Sequence, residues 1–495
     1  MAKKNELPAL IVSLLVTAAI LGGGAWWIKG QLFDGGASNG SASNGGASNG
    51  SASNGSASNG NGDGTTGADR SGAEDSRQQG LAGADGTAGQ SILPGAVSEA
   101  KQEGLAALAS GDYAAAKVGF TAALNEDRND PESLIYLNNA EIGDAPAYTL
   151  AVIVPVGSAV NPALELMRGA AQAQTDINES GGINGTPVKL LLVDDNDNEE
   201  TAKAIASELV ETPEVLGVVG HFSSGTTLAA AEIYEAGELP MISPTSTAVK
   251  ISELGGYIFR TVPSDRLAAA TLSRYVLNQL NRDKAAVFYT SDSAYSNSVK
   301  SEFTTELLSN GGNVVADYDV SEPGFSAGRA VQAAKEKGAT VLMLALNTAT
   351  IDAANQIIAV NQQALPMVGG DSLYNPKVLD VGRGNAEGLT VAVPWHILSH
   401  EQSPFVAESR QLWGGDINWR TATAYDAVKA LAAGLAVDAS RSGIAEALAS
   451  SSTTIEGATD PIRFLPSGDL NQPSQLVTVE PGNRSGSGYD YVPVE

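Results

Sequence analysis

The sequence contains no cysteine among its 495 residues. This absence excludes disulfide bonds, thiol nucleophiles and cysteine-based metal sites. Histidine is scarce as well: His221, His396 and His400 are the three that occur, and no two of them have a metal-ligand spacing. No nucleophile, base and orienting group stand together as a catalytic set. The sequence therefore predicts a protein that is not an enzyme and that binds neither a metal nor a cofactor.

Basic residues are few, because 29 lysines and arginines stand against 56 aspartates and glutamates, which gives a net charge of −27. No long run of lysine or arginine is present. Nucleic-acid binding depends on basic groups that neutralise phosphates, so the composition excludes a nucleic-acid partner. The acidic excess favours solubility and says nothing about the fold.

One long uncharged apolar segment stands near the start of the chain, from Leu7 to Ile28. It is long enough to span a bilayer, and Trp26 and Trp27 lie at its end, where interfacial aromatic residues are common. We interpret residues 1–33 as a transmembrane anchor or signal segment, and we favour an uncleaved anchor because the run exceeds a usual signal core. The lysines before it favour a cytoplasmic N-terminus, which places the rest of the chain outside the cytoplasm.

Residues 34–94 are rich in Gly, Ser, Ala, Asn and Asp, and they begin with five similar pentads. A segment of this composition cannot bury enough apolar surface to form a core. It is therefore predicted to be a disordered linker that holds the following part of the chain clear of a membrane surface.

Residues 95–145 carry apolar residues at helical spacing, which predicts three short helices. Part of this segment resembles the second helix of a tetratricopeptide repeat in its small and aromatic positions, Gly111, Tyr113, Ala116, Phe120 and Ala123. One repeat is recognisable, whereas such repeats usually need about three copies to be stable. The segment therefore packs on the rest of the chain, binds a protein partner as a helical hairpin, or serves as a spacer.

From Tyr148 onward, apolar strand patterns alternate with amphipathic helical patterns. The strand runs are TLAVIVP, PVKLLLVDD, VLGVVGH, PMISP, AAVFYT, TVLMLAL and PMVGGD, and the clearest helices are Pro162–Glu179, Glu199–Glu211 and Ala294–Ser309. This alternation predicts an α/β fold with mostly parallel sheets. Because about 350 residues exceed one comfortable sheet, we expect two lobes.

Two of these strands end in hydroxyl clusters. The clusters are Ser223, Ser224, Thr226 and Thr227, then Ser243, Thr245, Ser246 and Thr247. The first cluster opens a helix, whose free N–H groups and dipole favour an anion. If the two strands are neighbours, the clusters meet at one sheet edge and form a site for a carboxylate. The alternative is that the hydroxyls only cap a helix and fill a loop.

An acidic cluster lies close to the predicted strand ends, and it consists of Asp176, Asp194, Asp195 and Asp197. The cluster lacks the pattern of an EF-hand loop, so we interpret it as a solvated strand end rather than a cation site. His221 falls in a strand-end motif, where we expect a structural or cleft-lining role and no catalytic one.

Nine segments occur in the order found in one known family. They are DINESGGINGTPVKLLLVDD, GHFSSGTTLAAAEIYE, PMISPTST, YIFRTVPSD, SAYSNSVKSEF, GFSA, VGGDSLYNP, AEGLTVAVP and TAYDAVKAL. Residues 148–495, about 70% of the chain, thereby resemble the type I periplasmic binding proteins of branched-chain amino acid ABC transporters, the Leu/Ile/Val-binding group. The resemblance implies two Rossmann-like lobes joined by three crossovers. Lobe 1 would comprise 148–263 and 396–460, and lobe 2 would comprise 264–395 and 461–495.

The resemblance also implies a ligand that carries both a carboxylate and an ammonium group. Ser224, Thr247 and backbone N–H groups near Thr245 would bind the carboxylate. Asp371 would pair with the ammonium group, and Tyr295 would pack over the ligand from the second lobe. The residues themselves agree, because Asp371 follows a strand and two glycines and can project into a cleft. The alternative for Asp371 is a helix or turn cap.

The resemblance and the predicted anchor together imply a substrate-binding protein that is tethered to a bacterial cell membrane by a single pass. Its main domain would lie on the periplasmic side. It would capture an amino acid or a similar small carboxylate for an ABC transporter and its permease. The alternative is an extracytoplasmic scaffold or sensor in which the helical segment binds a protein partner.

The sequence departs from the family pattern at the side-chain pocket. The first strand–helix loop offers Val160, Asn161 and Pro162 where many relatives have an aromatic residue. After the strand TVLMLAL, Asn347 and Thr348 stand where an aromatic is frequent. We therefore expect a pocket that is more polar or larger than one built for leucine, and these departures leave the identity of the ligand open.

Overall fold

The computed structural model describes residues 89–494. The predicted anchor (1–33) and most of the predicted linker (34–94) lie outside this part of the chain. Within the described part, no helix combines the length and apolar character needed to cross a bilayer.

Three helices begin the described part: α1 (Glu99–Ala109), α2 (Tyr113–Glu126) and α3 (Pro131–Ile142). Their number confirms the helical prediction for this segment, while its likeness to a tetratricopeptide repeat stays a prediction. Each helix starts at a polar N-cap whose side chain accepts a backbone N–H from the first turn, namely Ser98, Asp112 and Asp130. The helix starts are therefore specified locally by the sequence.

Small residues let α1 and α2 pack closely. A Cβ atom on Gly119 would lie 2.5 Å from the backbone nitrogen of Gly104, so this crossing requires glycine. Phe120 is fully buried and packs against Tyr136 of α3, with ring centroids 5.9 Å apart. Lys101 of α1 completes the unit, since its buried ammonium group lies 2.7 Å from a carboxylate oxygen of Asp130 and of Glu132. The three helices thus share one core.

The chain then forms strands β1 (Tyr148–Val154), β2 (Val188–Asp194), β3 (Val215–Val219), β4 (Met241–Ser243) and β5 (Ile258–Arg260). Helices α4 (Val160–Glu179), α5 (Glu199–Val210) and α6 (Ser224–Ala236) connect the first four. The strands form one parallel sheet in the order β2-β1-β3-β4-β5. We call this sheet and the helices on it lobe 1.

A second sheet begins with β6 (Lys284–Tyr289), β7 (Asn313–Asp319), β8 (Val341–Ala345), β9 (Met367–Gly369) and β10 (Thr390–Val393). Its helices are α7 (Asp265–Arg274), α8 (Ala294–Ser309), α9 (Ala327–Glu336) and α10 (Ile351–Asn361). These five strands are parallel to their neighbours, and every residue of β8 is buried. Burial on both faces explains why its sequence is apolar throughout. We call this sheet and its helices lobe 2.

After β10 the chain returns to lobe 1 and forms α11 (Pro404–Trp413), α12 (Trp419–Val437) and α13 (Arg441–Ala449). Helix α12 packs along α4. A short hairpin of β11 (Ile455–Glu456) and β12 (Pro461–Ile462) follows, and β13 (Gln475–Pro481) and β14 (Tyr489–Pro493) then join lobe 2 as antiparallel strands. The second sheet has the order β14-β13-β10-β9-β8-β6-β7. The lobe boundaries given above from the resemblance stay a prediction.

Helix α3 covers the outer edge of lobe 1, where β2 is the last strand. The Asn139 side chain donates to the Leu190 carbonyl over 2.8 Å and accepts the Leu190 N–H over 3.2 Å. Gln174 of α4 donates to the same Asn139 oxygen over 2.9 Å. An open strand edge is prone to pairing with other chains, and Asn139 satisfies it in the manner of a further strand. The helical segment is therefore packed on the rest of the chain.

Replacing Asn139 by alanine should lower the free energy of unfolding by about 1–3 kcal/mol, because it leaves two buried backbone groups of Leu190 without partners. Denaturant unfolding measures the loss, and hydrogen exchange should accelerate at the Leu190 amide. Asn385→Ala, at an exposed position of lobe 2, serves as the control and should change stability by less than about 0.5 kcal/mol. Equal stability of both variants would contradict the edge-covering role.

Candidate functional site

A cavity lies between the two lobes at the carboxyl ends of their strands. It encloses about 410 Å³ of space between atoms, part of it open to solvent. Lobe 1 lines it with Asp197, Phe222, Ser223, Ser224, Thr245, Trp419 and Arg420. Lobe 2 lines it with Tyr295, Asn347, Thr348, Ala349, Asp371 and Ser372. The lining is predominantly polar.

The hydroxyl clusters meet as predicted, because β3 and β4 are parallel neighbours, with Val219 opposite Ile242. Ser223 is the N-cap of α6 and accepts the Thr226 N–H over 3.3 Å. Ser224, the first residue of α6, is 2% exposed and lines the cavity. The Ala248 N–H donates to its hydroxyl oxygen over 3.3 Å, which leaves the Ser224 O–H to donate elsewhere.

Most of the other hydroxyls in the clusters join the two strand ends to each other. Thr227 and Ser246 share a hydrogen bond of 2.7 Å, and the Ser243 hydroxyl donates to the His221 carbonyl over 2.9 Å. The Thr245 hydroxyl donates to the Phe222 carbonyl over 2.6 Å while its side chain still lines the cavity. The loop-filling interpretation therefore holds for most of these hydroxyls, which keep Ser224 and the start of α6 in place, and the carboxylate site stays a prediction.

Thr247 is buried, but it is not among the residues that line the cavity. It lies beside Asp265, whose N–H donates to the Thr247 carbonyl over 2.8 Å. Burial raises the pKa of Asp265 to about 6, while the hydroxyls of Ser298 and Thr247 lower it. Ser298 of lobe 2 also accepts the Val249 N–H of lobe 1 over 3.1 Å. Thr247 thus belongs to a contact between the lobes next to the cavity.

Lobe 2 supplies Asp371 and Tyr295 together. Asp371 follows β9 and is 6% exposed, and Tyr295 is 7% exposed near the start of α8. The Ser372 N–H donates to the Tyr295 hydroxyl over 3.4 Å. A Cβ atom on Gly370 would lie 2.2 Å from that hydroxyl oxygen, so glycine is required beside the tyrosine. The structure therefore brings Ser224, Thr245, Tyr295 and Asp371 around one cavity.

The electrostatics of Asp371 are unfavourable in the empty protein. Burial and the charge of Asp265 raise its pKa, the charge of Arg420 and a hydrogen bond from Tyr295 lower it, and the net pKa is about 7. A carboxyl group with this pKa is easily protonated when the cleft is empty, and a cation beside it would favour the ionised form.

Sequence patterns did not indicate Arg420 or Trp419, which stand in the first turn of α12. Asn418 caps this helix and accepts the Arg420 N–H over 2.8 Å. The guanidinium carbon lies 4.2 Å from the centre of the Trp419 ring. A signal was present, because a Trp-Arg pair directly after a capping residue is conspicuous in a chain this poor in basic residues. This pair of residues in the sequence did not indicate that the two side chains line the cavity.

Asp195 corrects the interpretation of the acidic cluster as a solvated strand end. It is fully buried, and its carboxylate lies 2.6 Å from Nδ1 of His221, whose Nε2 lies 3.1 Å from the Tyr234 hydroxyl. His221 is thus a buried structural residue. Asp197 lines the cavity, and burial raises its pKa to about 6. Within residues 89–494 no three acidic or histidine side chains are grouped so as to hold a metal ion.

The sequence departs from the family pattern in the first strand–helix loop and after β8, and these two segments differ in whether they line the cavity. Asn347 and Thr348, which follow β8, line the cavity. Val160, Asn161 and Pro162 begin α4 and are not among its lining residues. The polar replacement after β8 therefore affects the cavity directly, whereas the first strand–helix loop does not line it.

Two α/β lobes with a polar cleft at their strand ends define a ligand-binding protein of the periplasmic type. The family model described as periplasmic binding protein matches residues 147–486. The chain therefore belongs to the periplasmic binding protein family.

The relatives carry the names of binding proteins. The Leu/Ile/Val-binding protein of Escherichia coli strain K12 is 27% identical over 322 residues, which cover 61% of this chain and 82% of that protein. An amino acid binding protein of Pseudomonas aeruginosa is 38% identical over 126 residues, which cover 25% of this chain and 34% of that protein. The second match thus spans about a third of the relative's length.

Solved structures share the fold. A leucine binding protein from Thermotoga maritima has a TM-score of 0.61 at 21% identity, covering 70% of this chain and 98% of that one. A branched-chain amino acid transporter substrate-binding protein from Streptococcus pneumoniae, in complex with isoleucine, has a TM-score of 0.59 at 20% identity and covers 70% of this chain and 100% of that one.

Asp371→Asn should stabilise the empty protein at high pH. A raised folded-state pKa means that the native state loses stability as pH rises from about 4 to about 7, where the unfolded carboxyl is already ionised. The variant removes this loss, so its free energy of unfolding at pH 8 should exceed that of the wild type by up to about 4 kcal/mol. The gain should disappear below about pH 4.

Urea unfolding at pH 4, 6 and 8 measures this difference. Asp319→Asn is the contrasting variant, because hydrogen bonds from Ser291 and Ser321 lower the pKa of Asp319 to about 2. That variant should lose stability above pH 4. A gain for Asp371→Asn that is the same at every pH would contradict the assignment of the titrating group.

Proposed function

We propose that this protein is an extracytoplasmic substrate-binding protein that captures an amino acid by closure of its two lobes, for an ABC transporter. The observation that carries the proposal is the placement of Ser224 and Asp371 on opposite lobes around one cavity. A zwitterion needs donors for its carboxylate and an acceptor for its ammonium group, and each lobe supplies one of these. Binding and closure are then a single event.

The carboxylate site is the start of α6. Its first-turn N–H groups and the Ser224 hydroxyl are donors, and the helix dipole favours an anion there. Thr245 lines the same wall and fixes its shape through its bond to Phe222. Thr247, which is buried at the contact between the lobes next to this wall, stays a proposed donor to the carboxylate.

The ammonium site is Asp371 with Tyr295. A ligand cation would hold the Asp371 carboxylate in its ionised form, which the empty cavity disfavours. Tyr295 lines this end of the cavity, and its hydroxyl accepts a hydrogen bond from the Ser372 N–H. The names of the relatives, which include Leu/Ile/Val-binding and amino acid binding proteins, support an amino acid as the ligand.

We further propose that the apolar segment Leu7–Ile28 tethers the protein to the membrane, with residues 34–94 as a linker and the two lobes on the periplasmic side. The support is the length of the uncharged run and the aromatic pair at its end. Mass spectrometry of membrane fractions should find an intact N-terminus. Recovery of a shortened N-terminus from the periplasm would show that the segment is a cleaved signal instead.

A scaffold that binds a protein partner through α1–α3 has less support. Helix α3 packs against α4 and β2, and Asn139 is engaged with Leu190. The inner face of the segment is therefore occupied by lobe 1.

Asp371→Asn should weaken amino-acid binding by about 3–5 kcal/mol, because it leaves the ligand ammonium group unpaired in a closed cleft. Calorimetry on the full-length protein with the amino acids that bind measures the loss. A thermal-shift screen first identifies the amino acids that bind, because a ligand at a hundredfold its Kd adds about 2.7 kcal/mol to the free energy of unfolding. Asp380→Asn, at an exposed position of lobe 2, is the control and should bind normally.

Two results would contradict the proposal in different ways. Unchanged affinity in Asp371→Asn would remove this carboxylate from the site. Absence of a thermal shift with every common amino acid would remove the transport function and leave the scaffold as the better candidate.

A further inference from the structure

Arg420 is a buried cation in the cavity wall whose hydrogen-bonding capacity is mostly unused. Its side chain is 4% exposed, and its Nε atom has no hydrogen-bond partner among the described residues. One terminal nitrogen, Nη1, donates to the Tyr374 carbonyl at 3.5 Å, the outer limit of a hydrogen bond. Within residues 89–494, no carboxylate oxygen forms an ion pair with it at 4.0 Å or less. A guanidinium left in this state is costly.

The neighbouring carboxylates do not neutralise it. The charge of Glu165 raises the pKa of Arg420, but Glu165 forms no ion pair with it. The Glu165 oxygens are bound instead by the Arg168 guanidinium, at 2.7 Å, and by the Thr421 hydroxyl. Asp371 also acts from a distance, and in the proposed complex it pairs with the ligand ammonium group. Once a zwitterion is bound, Arg420 therefore still lacks a counter-ion.

Trp419 adds a second unused donor at the same wall. Its indole N–H is buried, has no hydrogen-bond partner among the described residues and belongs to a residue that lines the cavity. Asn347 and Thr348 line the cavity as well, so the wall presents polar groups instead of an aliphatic pocket. A leucine side chain would leave these donors unsatisfied in a closed cleft, at the cost of an unpaired charge.

We infer that the ligand is an amino acid whose side chain ends in a carboxylate, as in L-glutamate or L-aspartate, and that Arg420 binds this side-chain carboxylate with Trp419 as a second donor. The inference rests on the proposed function and specifies its substrate class. Each charged group of the ligand then has a partner in the site: α6 and Ser224 bind the α-carboxylate, Asp371 binds the ammonium group, and Arg420 binds the second carboxylate.

Calorimetry on the full-length protein tests this with L-glutamate, L-aspartate, L-glutamine, L-leucine and L-isoleucine. An acidic amino acid should bind at least about 100-fold more tightly than leucine, and L-glutamate more tightly than the uncharged L-glutamine if the longer acid is the one accepted. Arg420→Met should weaken binding of the acidic ligand at least about 100-fold and leave the affinity for leucine equal or higher.

Arg282→Met removes an exposed arginine of lobe 2 and is the matched control, which should bind like the wild type. If leucine or isoleucine binds most tightly and Arg420→Met does not change the preference, the inference is overturned while the proposed function stands. If no amino acid binds at all, both fail. Retention of acidic selectivity in Arg420→Met would also overturn the role of Arg420.

Discussion

The structure of this site is governed by the burial of two charges that come from different lobes and that form no ion pair within residues 89–494. Asp371 stands at the end of β9 and Arg420 at the start of α12, and both are almost fully enclosed. Burial raises the pKa of Asp371 and lowers the pKa of Arg420, so the buried position disfavours both charges. A ligand with complementary charges offsets this effect, which is why the same groups can provide both affinity and closure.

The surrounding hydroxyl network makes this arrangement rigid. Ser243, Ser246 and Thr227 bond to backbone carbonyls or to one another and hold the ends of β3 and β4 together. Because these bonds are internal, the start of α6 keeps its orientation whether or not a ligand is present. A preorganised set of donors costs less to bring to a ligand than flexible side chains would.

The helical segment depends on lobe 1 in a different way. Isolated helices of this length are marginal in water, and α3 packs on α4 and the edge of β2. In return, Asn139 completes the hydrogen bonds of an edge strand that would otherwise face solvent. The segment therefore extends the binding protein and shares its core.

Much of the fold was predictable because local chemistry determines it. The apolar run of β8 and the capping residues Ser98, Asp112 and Asp130 specify a buried strand and three helix starts without reference to the rest of the chain. The parallel direction of β3 and β4 was also expected, since a helix lies between them, whereas the structure shows that the two strands are neighbours. The solvated interpretation of Asp195 was wrong because His221, 26 residues away, provides a buried partner that no local pattern reveals.

The sequence by itself determined the alternating α/β architecture, the family resemblance and four residues that the structure gathers around one cavity, Ser224, Thr245, Tyr295 and Asp371. The alternation is encoded locally, whereas the four site residues follow from the family resemblance. The packing of distant elements was needed to show that Thr247 is not among the lining residues and that Arg420 and Trp419 are. The direction of a side chain at a helix start depends on how that helix packs against distant elements, here α12 along α4.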